Sequence, residues 1–155
     1  MTKISILRTK HPGVHICITI AVMLFIFIQS AMPGKISGAE SNIIVQFIAG
    51  ITGWNEEVLS VFVRKAAHFT EFLILGICLS VNMRDLMPHI TAKYLWAAWF
   101  IGTVYAMTDE FHQLFVPGRV GSLTDICIDS AGVACGVIIC CICMNADKRH
   151  ISRNE

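Results

Sequence analysis

Charge is scarce in this chain: Asp, Glu, Lys and Arg supply 15% of 155 residues, while hydrophobic residues supply 55%. A soluble domain carries roughly 25% charged residues, so the composition is that of a membrane protein. An excess of one sign is missing too, because twelve basic residues face eleven acidic ones for a formal charge of +1. That balance argues against a nucleic-acid partner, which needs a basic surface to neutralise phosphates. Familiar catalytic signatures are absent: there is no Gly-x-Ser-x-Gly elbow, no His-Glu-x-x-His and no Walker loop. A disulfide framework is also missing, since the seven cysteines are odd in number and all lie in apolar runs. Cys140, Cys141 and Cys143 cluster without a partner motif and read as small apolar filler.

What the chain has instead is long apolar runs, in a length that suits one domain, residues 1–155. A bilayer core of about 30 Å takes around 20 apolar helical residues. Four runs qualify: Val14–Met32, Ala66–Met83, Thr91–Thr108 and Ile126–Met144. Pro12, Pro33, Pro88 and Pro117 fall at their ends or in connections, where the lost N–H costs least. The apolar stretch Ile43–Ile51 is too short to span and is expected to lie in the membrane interface, with Trp54 as its anchor and Asn55 capping the helix that follows. The expected fold is therefore all-α, an integral membrane four-helix bundle with a short interfacial segment between its first two helices.

Orientation follows from counting basic residues by side. Lys3, Arg8, Lys10, Arg84, Lys93, Lys148, Arg149 and Arg153 share one side, and Lys35, Arg64, Lys65 and Arg119 the other. Both termini are thus expected in the cytoplasm. The first run follows a basic segment, as a secretion signal would, but no small-x-small cleavage site stands out around Gln29–Met32, so it is expected to stay as a span. His11, His15, His89 and His150 fall at cytoplasmic ends, where a solvated or interfacial histidine is the default.

Ionisable residues inside spans are costly and face the bundle or a wet cavity. Here they converge on the outer end: Lys65, His68 and Glu71 in the second span, Asp109, Glu110, His112 and Gln113 in the third, and Asp125 and Asp129 in the fourth. Arg64, His68 and Glu71 are spaced i, i+4, i+7. Asp125, Asp129, Gly132 and Gly136 continue one face from acids into a Gly-x-x-x-Gly stripe, which directs Asp129 inward and offers a close-contact surface, including one for a homodimer. Between the last two spans, Arg119 and the amides near Ser122, with Ser122 and Asp125 at capping-box spacing, form a candidate anion site.

Arg64-Lys-Ala-Ala-His68-Phe-x-Glu71, Asp109-Glu-Phe-His-Gln113, Pro117-Gly-Arg119 and Asp125-x-x-x-Asp129-x-x-Gly132 together resemble the VanZ-like membrane proteins in order and spacing. The resemblance runs from about Gln29 to Gly136. It implies a small bacterial cell-membrane protein, with founding members tied to glycopeptide resistance, notably to teicoplanin. No agreed reaction or cofactor comes with it.

Three functions fit the polar cluster. In the first, an anionic envelope lipid or cell-wall precursor headgroup is held by Lys65, Gln113, Arg119, Ser122 and Asp125, and His68, Glu71, Asp109, Glu110 and Asp129 supply acid–base chemistry if it is modified. Whether the site modifies the headgroup or only binds it stays open. In the second, the charges are a structural ion-pair network fixing helix register and acting through partner proteins. In the third, the i, i+3 pairs His68 with Glu71 and Asp109 with His112 hold a divalent metal, against which Lys65 and Arg119 repel a cation. An ion pathway is disfavoured because Leu73–Leu79 and Val133–Cys143 hold no group suited to carry protons through the opposite leaflet.

Overall fold

A computed structural model describes residues 12–86 and 91–153; the predicted basic residues Lys3, Arg8 and Lys10, with His11, Pro88 and His89, lie outside them, and the side chains of Lys35, Lys148, Arg149, His150 and Arg153 are not described. Five helices are present: α1 (Pro12–Ala31), α2 (Gly34–Thr52), α3 (Glu56–Leu86), α4 (Thr91–Gln113) and α5 (Leu123–Arg153). Among the described residues there is no strand.

Three of the four expected spans are borne out by length and apolarity. Three helices, Gly13–Ala31, Glu56–Leu86 and Leu123–Met144, are long and apolar enough to cross a membrane. At 23 residues, α4 has the length, about 34 Å at 1.5 Å per residue. Its apolarity falls short because Tyr94, Trp96, Trp99 and Tyr105 interrupt the aliphatic residues and Asp109 and Glu110 close the helix. The segment between the first two expected spans is also longer than predicted, a 19-residue helix whose polar first half, residues 34–42, hid it from an apolar-run count.

The connection into α3 follows the local chemistry closely. Gly53 takes a left-handed φ of 71° and its N–H closes α2 on the Ala49 carbonyl, a C-cap that favours glycine. Two residues later the Asn55 Oδ1 accepts the Glu57 N–H at 2.8 Å, the predicted N-cap, and Glu56 and Glu57 complement the helix dipole. From there α3 runs unbroken for 31 residues, so the expected span 66–83 is its middle portion.

Packing is tightest between α3 and α5. A Cβ on Gly132 or Gly136 would run into the backbone of Phe69, Leu73 and Ile77, and one on Gly76 into the backbone of Val133. Small residues let the two backbones touch, which is how helices gain contact energy without a hydrophobic drive in lipid. The Gly132 and Gly136 stripe is filled by α3 of the same chain. Ile26, Phe72, Leu75, Leu79, Ala98, Ala106, Val133 and Val137 form an apolar core at mid-bundle. Outward, α1 exposes Ile16, Ile20, Leu24, Phe27 and Ile28, apolar surface too extensive to face water. The antiparallel order brings the end of α1, the first half of α3, the end of α4 and the start of α5 to one end of the bundle.

Candidate functional site

At that end the residues singled out from the sequence meet around a crevice lined by Arg64, Lys65, His68, Glu110, Asp125, Ile128 and Asp129. Three helices supply the walls, and the linkage between α4 and α5 explains how they are held.

That linkage begins with Val116-Pro-Gly-Arg119, whose Arg119 N–H bonds the Val116 carbonyl at 3.1 Å. Gly118 has a φ of 76°, as the third residue of a type II turn requires, and Pro117 presets the residue before it. The turn swings Arg119 back under α1. Its Nη2 donates to the Gln29 carbonyl at 2.9 Å and its Nε to the Met32 carbonyl at 3.2 Å, so the guanidinium caps the C-terminal end of α1. Two of its three nitrogens are thus committed to the fold, and Nη1 is left without a partner among the described residues. Burial, and then the nearby charge of Arg64, pull the Arg119 guanidinium below its ordinary pKa.

Gly121 lies where a Cβ would strike the Glu110 carbonyl and Leu114. That approach lets the Ser122 N–H reach Glu110 Oε2 at 2.9 Å. Ser122 does start α5, its Oγ accepting the Thr124 N–H at 3.2 Å. The reciprocal half of the predicted capping box is supplied by Glu110 rather than Asp125, which instead pairs with Lys65 of α3. The amide proposed for an external anion is thereby satisfied by an internal one.

Both Asp109 and Glu110 are buried, and Gln113 joins them. Its Nε2 donates to Asp109 Oδ2 and to Glu110 Oε1, each at 3.1 Å. Ser30, missed as a site residue from sequence, donates its Oγ to Asp109 Oδ2 at 2.6 Å and is fully buried. Its signal was available: it is a hydroxyl at the end of an apolar run, next to Gln29 and just before Pro33.

Against this satisfied layer stands a set of buried atoms with no hydrogen-bond partner. They are His68 Nδ1, Glu71 Oε2, Asp109 Oδ1, Arg119 Nη1 and both carboxylate oxygens of Asp129. Asp129 is 1% exposed, so its inward direction was correctly predicted, and no group among the described residues hydrogen-bonds it to offset its desolvation. His112 departs from the cluster, stacking its ring on Phe27 at a centroid distance of 4.5 Å. Among the described residues no group of three or more His, Cys, Asp or Glu is arranged to hold a metal, which removes the geometric basis of the two i, i+3 pairs.

A second polar cluster lies at the opposite end. His15 Nδ1 and Asp85 Oδ2 pair at 3.0 Å, Arg84 reaches Asp85 Oδ1 at 3.4 Å, and Asn82 bonds Thr19 and the His15 carbonyl. His15 is therefore a structural clamp between α1 and α3 rather than a solvated residue. His68 and Asp85 are 17 positions apart on α3, about 25 Å along the axis. The two polar layers thus bracket an apolar section of near-bilayer thickness.

A sequence of helices long and apolar enough to cross a membrane, with a charged crevice at one end, defines a membrane protein with a polar site near its surface. The VanZ/LLP1 family profile matches residues 15–144, most of the chain, and the protein belongs to that family. No curated protein and no solved structure matches it significantly.

Proposed function

We propose that the crevice recognises the phosphate of an anionic envelope-lipid or lipid-linked wall-precursor headgroup at the outer leaflet of the bacterial cell membrane. In this reading α4 completes a multi-pass bundle with both termini in the cytoplasm. The observation that carries it is the meeting of Arg64 and Lys65 at a crevice whose floor, Asp129, is buried with both oxygens unpartnered. A network kept only for helix register has no need to leave buried carboxylate oxygens unsatisfied, at about 1 to 3 kcal/mol each.

Within this reading the roles shift from those expected. Arg64 and Lys65 hold the phosphate, helped by the N-terminal dipole of α5. Arg119 positions α1 and adds positive potential through its unpartnered Nη1. Asp109, Glu110, Gln113 and Ser122 tie α4 to α5 and form the rigid frame, while His68, Glu71 and Asp129 remain as groups that can exchange protons with a bound headgroup. His68 in the lining is what favours modification as a second form of the reading. The founding members' tie to glycopeptides fits a protein that shields or alters a surface precursor.

The test is native mass spectrometry of protein released gently from membranes, comparing wild type with an Arg64→Ala, Lys65→Ala double variant. The expected result is a phospholipid or polyprenyl-phosphate adduct on the wild type that is lost from an equally monodisperse variant. Equal adducts on both, or none on either, would contradict the proposal.

A further inference from the structure

The crevice is built for more than a phosphate. Its lining pairs two cations, Arg64 and Lys65, with three carboxylates, Glu110, Asp125 and Asp129. Two of the three are already engaged: Asp125 with Lys65, and Glu110 with the Ser122 amide and the Gln113 side chain. Asp129 is left, 1% exposed and with neither oxygen bonded. An anion alone would leave the two open oxygens of Asp129 without a donor, which a ligand that also carries N–H groups supplies.

Building on the proposed headgroup site, we infer that the ligand is a zwitterion, a phosphate followed by a primary ammonium, with the ammonium seated on Asp129 and the phosphate near Arg64. Charge selects an ammonium over a hydroxyl, since a buried carboxylate gains far more from a cationic donor than from a neutral one. Hydrogen bonding selects among ammonium groups. Three N–H donors suit the two open carboxylate oxygens, whereas a trimethylammonium has none to offer. A phosphoethanolamine headgroup has this chemistry; phosphocholine and phosphoglycerol do not.

The full chain is placed in nanodiscs holding equal parts of phosphatidylethanolamine, phosphatidylcholine and phosphatidylglycerol with matched acyl chains, and retained lipid is read after delipidation by native mass spectrometry. Wild type should keep phosphatidylethanolamine over each of the others by about tenfold. Asp129→Asn keeps the size and removes the charge; it should retain phospholipid without that preference, at unchanged monodispersity. Equal retention of all three lipids by wild type would overturn the ammonium seat and leave the phosphate site standing. Retention of none would overturn both, and a preference that survives in Asp129→Asn would overturn the role of that carboxylate. Free phosphoethanolamine that displaces the lipid identifies a soluble headgroup as sufficient, and displacement by lipid alone identifies the lipid; either supports the ammonium seat.

Discussion

The two ends of the bundle spend their polar groups differently. At the far end His15, Asp85, Arg84, Asn82 and Thr19 bond one another across α1 and α3. At the crevice end, six of the eight buried side-chain atoms that lack partners among the described residues are gathered; His112 Nδ1, beside Phe27, and Arg84 Nε are the others. Both layers sit on the same helices and both are mostly shielded from solvent. Burial and charge therefore do not separate a clamp from a site; hydrogen-bond completeness does. Buried polar groups in folded proteins are paired almost without exception, so the local concentration of orphans is what the proposed ligand site rests on.

The contrast can be broken by variants, and the largest effect lies on neither end. Gly136→Val forces a side chain into the Leu73 carbonyl and Ile77 amide. It should cost about 3 kcal/mol or more and deplete the monodisperse fraction in detergent. Next comes Arg119→Ala, which frees the α1 carbonyls of Gln29 and Met32. A loss of about 3 kcal/mol is expected for two charge-assisted bonds, seen as a lower melting temperature together with lost ligand. Arg119→Ala with unchanged melting would move that residue from the frame back to the ligand.

Smaller effects sharpen the comparison. Asp85→Ala should destabilise by about 1 to 3 kcal/mol without changing lipid retention, because it strands His15 and Arg84 at the clamp. Ser30→Ala removes one hydrogen bond to Asp109 and should cost about 1 kcal/mol, with thermal unfolding as the readout.

Much of this arrangement was legible in the sequence, for reasons that mark where legibility stops. Apolar length located α1, α3 and α5, and helical spacing aimed Asp129 inward and brought Lys65, His68, Glu110 and Asp125 to one level. Asn55 was readable as a cap because a cap is local chemistry. The bonds of Arg119 to the backbone carbonyls of Gln29 and Met32 were not legible, because carbonyls leave no trace in residue type. Ser122 and Asp125 had the spacing of a capping box, yet Glu110 from another helix took that place, a competition that only three-dimensional packing decides. The stripe of Gly132 and Gly136 announced close contact correctly and left its partner, α3, unspecified. His15 and Asp85 lie 70 positions apart, beyond any periodicity.

The central claim is that one polar layer holds the fold and the other holds a ligand. Paired melting curves of Asp85→Asn and Asp129→Asn, in the same detergent and without added lipid, test it most directly. Neutralising Asp85 breaks a satisfied clamp and should lower the melting temperature. Neutralising Asp129 relieves an uncompensated buried carboxylate and should leave the melting temperature unchanged or raise it, the usual sign of a residue kept for function at the expense of stability. Equal losses from the two variants would contradict the account and make the crevice a second clamp.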